Sequence, residues 1–141
     1  MHPYVKVLHE HLKLVEATLE KRKDFPVELF LKDREMPQNS PVFLFSHAIN
    51  NLYYYSHTWF NIASEIDYID LFEDIEKYTI HKKCSENYLL AINAFEKMIE
   101  NEKFNYSELE DKLAYTVAHI VQHVGQGLRI HKMNIADIEE E

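Results

Sequence analysis

The segment 118–127 carries the strongest chemical pattern in the sequence, because it places His119 and His123 four residues apart. On an α-helix, residues i and i+4 lie on one face, with Cβ atoms about 5–6 Å apart. Two imidazoles at that spacing can each bring a ring nitrogen to about 2.0–2.1 Å from one metal ion. Neutral imidazole is a good ligand for zinc, nickel, copper and iron. The pair therefore indicates a metal site, although such pairs also arise by chance in helices.

A metal site built on this pair needs a third ligand from another helix, and His47 and His57 are the candidates. Three protein ligands and one free position are typical of a catalytic rather than a structural metal site. The chain's two glycines, Gly125 and Gly127, lie directly after the histidine pair. Each costs about 1 kcal/mol relative to alanine inside a helix, so we expect another group to approach the backbone there.

The helix that must carry the pair begins at a capping box, with Ser107 as the cap and Glu110 three residues later. On a helical wheel of about 100° per residue, both histidines lie well away from the apolar stripe. This placement argues somewhat against a metal site, and it permits one only at the edge or mouth of the bundle. The stripe consists of Leu109, Leu113, Val117, Ile120, Val121, Val124 and Leu128. We expect residues 133–141 to form a frayed acidic tail.

The helix that must carry His47 is expected at residues 41–63, with Asn39 or Ser40 as its cap. It contains no Asp, Glu, Lys or Arg, and a helix without charges is normally buried on most sides. One of its sides is apolar, whereas the other is polar but uncharged: His47, Asn50, Asn51, Tyr54, Thr58 and Asn61. Because solvated faces are usually charged, we interpret the polar side as the lining of a wet cavity enclosed by protein; the alternative is a lightly exposed surface.

Two further helices complete the expected fold. The first spans residues 3–23, and a connection at 27–39, with a short helical turn at 27–32, leads to the second. An acidic segment at 65–77 leads to the third, which begins at Ser85 and is expected to bury Leu89, Ile92, Phe95, Met98 and Ile99. Four long helices, with long connections between helices 1 and 2 and between helices 2 and 3, predict an all-α single domain over residues 1–141, a four-helix bundle.

The composition excludes several classes of function. With 141 residues and a net charge of −9, the chain repels phosphate backbones, so we expect no nucleic-acid partner. Polar residues interrupt the second helix too often for a membrane span, and no signal peptide is visible at the start, so we expect a cytoplasmic protein. The single cysteine, Cys84, fits a reducing compartment. His81, Lys82 and Lys83 could lower its pKa, but a lone cysteine is usually inert.

Two segments resemble the DinB/YfiT-like family. Residues 119–126, His-x-x-x-His-Val-Gly-Gln, are similar to its His-x-x-x-His-Arg-Gly-Gln signature, and residues 43–53 resemble its second-helix pattern of an apolar run followed by a histidine. The order of the helices, the length and the separation of the two motifs agree as well. The resemblance implies a four-helix bundle that holds a divalent metal ion, zinc or nickel, with three histidines, here His47, His119 and His123. It also implies a homodimer.

The chain departs from the family pattern at three positions. Val124 replaces the common Arg, so any anion contact of that residue is absent or comes from another residue such as Arg129. Asn51 stands where relatives often carry a Glu, and Gly127 replaces the usual aliphatic residue. The metal site can survive these changes while the choice of substrate shifts.

The first functional hypothesis, implied by the resemblance, is a metal-dependent enzyme that transfers a low-molecular-weight thiol, such as bacillithiol, mycothiol or glutathione, to an electrophilic small molecule. A metal-dependent hydrolase is a related alternative, because a bound ion lowers the pKa of water as well as that of a thiol. Tyr54, Asn50, Asn51 and Gln126 are candidates for orienting the substrate. The second hypothesis is a non-catalytic stress-response or ligand-binding bundle, and the third is a bundle that binds no metal.

Overall fold

Helices make up most of the described part of the chain, as the sequence predicts. The structure is a computed structural model that describes residues 2–35, 39–60, 80–101 and 106–139. Within these ranges it contains no strand, and its helices are α1 (Pro3–Lys21), α2 (Glu28–Leu31), α3 (Pro41–Phe60), α4 (Ile80–Glu100) and α5 (Tyr106–Glu139). None of these helices is long and apolar enough to cross a membrane. The all-α class is therefore confirmed for the described ranges.

The four long helices pack around one hydrophobic core. Helix α3 lies against α4 and α5, and α1 lies against the same two helices. Four apolar residues at helical spacing on α1 are buried, and so are the central positions of the stripe predicted for α5: Leu8, Leu12, Val15, Leu19, Leu113, Val117, Ile120 and Val124. Burial of these side chains supplies the main driving force for the packing, because each contributes about 1.5–3 kcal/mol relative to an exposed position.

The stripe predicted for α4 is wrong at one position. Leu89 is 39% exposed, and the neighbouring Tyr88 is buried in its place. The hydroxyl of the buried Tyr88 has a hydrogen-bond partner, because it lies 3.0 Å from Nδ1 of His11. A buried tyrosine is tolerated where its polar tip finds a partner. Helix α4 also begins earlier than predicted, at Ile80 rather than at Ser85.

The cap of α3 and the short helix before it follow the prediction. The hydroxyl of Ser40 accepts a hydrogen bond from the backbone N–H of Phe43 at 3.2 Å, which is the usual N-cap contact. Helix α2 lies within the stretch expected to contain a helical turn. The predicted acidic segment 65–77 and the end of the second helix at residue 63 lie outside the described residues.

The prediction of a frayed acidic tail is wrong, because α5 continues as a helix to Glu139. Asn134 is completely buried there, and its side-chain N–H groups donate to the carbonyl oxygens of Leu29 at 2.8 Å and Lys32 at 3.2 Å. Its carbonyl oxygen accepts from Nη1 of Arg34 at 3.0 Å, and the same guanidinium pairs with Asp137. These hydrogen bonds join the last turns of α5 to α2 and to the segment that follows α2.

A buried histidine strengthens the same junction. His131 is only 3% exposed, and its Nδ1 lies 3.4 Å from Nη1 of Arg22, which also donates to the carbonyl oxygen of Leu128 at 2.8 Å. The ring of Phe30 meets the imidazole edge to face, with centroids 5.1 Å apart. Burial, and then the charge of Arg22, lower the pKa of His131 to about 4. The folded protein therefore holds this histidine in its neutral form.

Stability is expected to fall at mildly acidic pH because of His131. Its pKa is lower in the folded chain than in the unfolded one, so between pH 6.5 and about 4 the unfolded chain binds more protons. The contribution of His131 is complete above pH 6.5 and is lost as the pH falls towards 4. Urea unfolding at pH 7 and pH 5 should show that the wild type loses about 1–2 kcal/mol more than His131→Gln. Equal losses in the two proteins would contradict the assignment, because glutamine keeps an acceptor for Arg22 but does not titrate.

The two glycines of α5 differ in their surroundings. A Cβ added at Gly127 would lie 3.0 Å from Cδ2 of Phe45 and 3.2 Å from the carbonyl oxygen of Pro41, whereas one at Gly125 meets nothing within 4 Å. The expected close approach to the backbone is therefore made by α3, and it occurs at Gly127.

We expect opposite effects when each glycine is replaced by alanine. Gly125→Ala should raise the free energy of unfolding by up to about 1 kcal/mol, since alanine favours the helix. Gly127→Ala should lower it by about 1 kcal/mol, because overpacking costs more than the helix propensity returns. The ring of Phe45 is fully buried and cannot swing aside. Urea titration of both variants measures the difference, and equal stabilisation by both would show that the α3–α5 contact is loose.

Candidate metal centre

Helices α3 and α5 bring three histidines together at one edge of their interface. Each of His47, His119 and His123 offers one ring nitrogen, and these atoms all lie within 4.8 Å of one another. The i, i+4 spacing on α5 places the last two on one face, and α3 supplies the first. Among the described residues, no carboxylate or thiol joins this group. The structure thus places the predicted metal ligands close enough to hold one ion.

The dimensions of the group fit a metal ion after a small adjustment. Nε2 of His119 and Nε2 of His123 are 2.7 Å apart, and two imidazole nitrogens on one tetrahedral ion lie about 3.3 Å apart. The ring of His47 stands nearly perpendicular to both others, with centroids 6.2 Å from His119 and 5.0 Å from His123. The two α5 rings would have to part by roughly half an ångström to share an ion.

Two carboxamides and two aromatic rings hold the imidazoles. Oε1 of Gln126 lies 3.1 Å from Nδ1 of His123, and Nδ2 of Asn51 lies 3.1 Å from Nε2 of His47. Metal-binding histidines usually donate their second ring N–H to an acceptor, which fixes the orientation of the ring. Gln126 is such an acceptor for His123, whereas the amide N–H of Asn51 donates to the ring of His47. His119 differs, because its Nδ1 is buried and has no hydrogen-bond partner among the described residues.

The aromatic rings lie flat against two of the histidines. Phe43 stacks on His47 with centroids 5.9 Å apart and an angle of 5°, and Tyr115 stacks on His119 at 5.4 Å and 17°. Sequence reasoning missed both rings. Each stands four residues before the histidine that it covers, so the i, i+4 rule that identified the histidine pair could also have identified them.

The electrostatics favour the neutral form of two of the imidazoles, those of His119 and His47. Burial lowers the pKa of His119, and the charges of His123 and His47 lower it further. The pKa of His47 is lowered in the same way, by burial first and then by His123. Because a metal ion binds the unprotonated nitrogen, these shifts keep lone pairs available at neutral pH.

The site is open to solvent in the described part of the chain. His47 is exposed, Tyr54 is 60% exposed, and Asn50 and Asn51 are partly buried. The alternative of a lightly exposed surface fits these residues better than the expected enclosed cavity. Tyr54 packs edge to face against Tyr55 with centroids 5.8 Å apart. The side chains of His57, Thr58 and Asn61 lie outside the described residues.

Val124 stands where the signature that this segment resembles has an Arg, and its side chain is completely buried in the core. Arg129 is exposed. The suggestion of a low pKa at Cys84 is wrong: the thiol is fully buried, and burial raises its pKa although Lys83 acts in the opposite direction. A cysteine in that environment is not a nucleophile.

The described geometry is a group of three histidines in which His47 is exposed and His119 and His123 are half-buried. Such a group can hold one divalent ion and leave part of the ion's surface open to a further ligand. Comparisons of the chain with protein-family models, with curated proteins and with solved structures find no match.

Proposed function

We propose that the protein is a divalent-metal-dependent enzyme of the DinB/YfiT-like group that transfers a low-molecular-weight thiol to an electrophilic small molecule. The observation that supports the proposal is the convergence of His47, His119 and His123, from two helices, within 4.8 Å of one another. The resemblance of residues 119–126 to the family signature also supports it. The proposal includes the family's architecture, with α1, α3, α4 and α5 as a four-helix bundle, a homodimer as the assembly and the cytoplasm as the location.

The chemistry of the group explains why three histidines suit this reaction. A zinc or nickel ion held by neutral ligands keeps its full charge and lowers the pKa of a bound thiol. The three imidazoles would hold the ion through unprotonated nitrogens, and Gln126 orients the ring of His123 by accepting from its Nδ1. In the transfer, the thiol loses its proton, its sulfur bonds to the electrophilic carbon, and the leaving group departs with the bonding electron pair.

A metal assay and a turnover assay together test the proposal. The untagged protein is purified, its metal content is measured, and the ion is removed with a chelator and restored with Zn²⁺ or Ni²⁺. Conjugation of glutathione, bacillithiol or mycothiol to a chlorodinitrobenzene is then followed. We expect about one ion for each set of three histidines and conjugation that requires the ion. A protein that contains no ion, and takes up none, would overturn the proposal.

A non-catalytic metal- or ligand-binding protein is the second candidate, and the openness of the site favours it. Enzymes usually exclude water around a reactive group, whereas His47 and Tyr54 are exposed. This candidate predicts neither conjugation nor hydrolysis of activated esters, and it requires no metal. The same two assays therefore separate it from the enzyme.

A further inference from the structure

Gln126 touches the three-histidine group without belonging to it. Its Oε1 lies 3.1 Å from Nδ1 of His123, three residues earlier on the same helix. An amide oxygen only accepts hydrogen bonds, so Nδ1 must carry the proton and donate it. A neutral imidazole has a single N–H. Nε2 of His123 is therefore unprotonated and presents its lone pair to the group.

The contact between the two histidines of α5 agrees with this assignment. Their Nε2 atoms are 2.7 Å apart, and such a contact needs one proton between them. Since Nε2 of His123 is unprotonated, Nε2 of His119 donates to it. Nδ1 of His119 is then the unprotonated nitrogen, and it is the atom that has no partner among the described residues. Gln126, His123 and His119 thus form a chain of hydrogen bonds whose direction is set by the amide oxygen.

We propose that Gln126 is a positioning residue that holds His123 in the Nδ1–H form and so turns Nε2 towards the ion. The binding of a metal ion by Nε2 rests on the proposed function, whereas the presence of the proton on Nδ1 does not. The role differs from the one predicted from the sequence, in which Gln126 orients the substrate. Because the amide is neutral, it orients the ring without cancelling positive charge at the site, which leaves the site suited to an anionic ligand such as a thiolate.

The test compares three variants of the full chain. Gln126→Met removes the acceptor and keeps the length and helix propensity of the side chain, Gln126→Glu keeps an acceptor oxygen, and Gln122→Met is the matched control at an exposed position of the same helix. The Zn²⁺ dissociation constant is measured by competition with a chromophoric chelator. The ring state of His123 is measured in the metal-free protein by long-range ¹⁵N–¹H correlation.

We expect Gln126→Met to weaken Zn²⁺ binding about tenfold, at the low end of the effects of such ring partners because water replaces the exposed amide. It should also reduce the fraction of His123 in the Nδ1–H form. Gln126→Glu should bind Zn²⁺ at least as tightly as the wild type, and Gln122→Met should match it. Unchanged Zn²⁺ binding and an unchanged ring state in Gln126→Met would overturn the proposal.

Two further outcomes separate this inference from its alternatives. A substrate-orienting role for Gln126 predicts a raised KM at an unchanged Zn²⁺ dissociation constant, and that result would also overturn the proposal. A wild-type protein that binds no Zn²⁺ would contradict the proposed function instead. The ring state of His123 in the metal-free wild type and in Gln126→Met would then still decide whether the amide controls the imidazole.

Discussion

Replacing His123 with alanine is expected to weaken Zn²⁺ binding by more than about 100-fold, beyond the range seen when only a ring partner is lost. His123 has the shortest centroid distances to both other histidines, 4.3 Å to His119 and 5.0 Å to His47. Its removal leaves two ligands on different helices, which cannot enclose an ion. Competition with a chromophoric chelator measures the loss.

The matched control is His9→Ala, which removes a partly buried histidine of α1 that lies outside the group. It should bind Zn²⁺ like the wild type. Binding of an ion to the folded protein alone also raises its stability, so excess Zn²⁺ should raise the Tm of the wild type and of the control but not that of His123→Ala. Tight Zn²⁺ binding by His123→Ala would show that the ion lies elsewhere.

Replacing Asn134 with alanine should lower the free energy of unfolding by about 2–4 kcal/mol. The carbonyl oxygens of Leu29 and Lys32 would lose their donor, and Arg34 would lose an acceptor. Buried polar groups left without partners cost about 1–3 kcal/mol each, and water can replace part of the loss near the exposed residues. Urea unfolding followed by circular dichroism measures the change.

Lys132→Ala is the control for this prediction, because Lys132 is exposed on the same helix. We expect it to change stability by less than about 0.5 kcal/mol. Limited proteolysis adds a local readout: Asn134→Ala should be cut faster in the segment after α2 than the control. If Asn134→Ala is as stable as Lys132→Ala, the hydrogen bonds to α2 contribute little.

Helical periodicity predicts most of the buried apolar residues. It does not predict the burial of a polar residue such as Asn134. The regular spacing of Leu113, Val117, Ile120 and Val124 predicted the buried face of α5 correctly. Burial continues along α5 through Ile130, His131, Asn134 and Ile135. The acidic residues at the end of the sequence indicate a frayed tail instead. The local sequence does not indicate that the side-chain amide of Asn134 donates hydrogen bonds to the carbonyl oxygens of Leu29 and Lys32.

The candidate site was predictable in part. The spacing on α5 identified His119 and His123, since one helix fixes their distance. The third ligand depends on how α3 and α5 face each other, which no local rule supplies. The spacing of the residues did not distinguish between His47 and His57 as the third ligand, and only the family resemblance favoured His47. The structure places His47 beside the pair, and the orientation of its ring by Asn51 could be seen only in three dimensions.

Because Cys84 is buried, the thiol of the folded protein should not interfere with the proposed conjugation assay. The chain has a single cysteine, and its sulfur is sealed in the core. The folded protein should therefore neither alkylate itself nor form mixed disulfides, and every sulfhydryl consumed in a reaction mixture comes from the added substrate. Iodoacetamide should label the sulfur only when the core opens. The rate of that labelling therefore measures how often the core opens transiently.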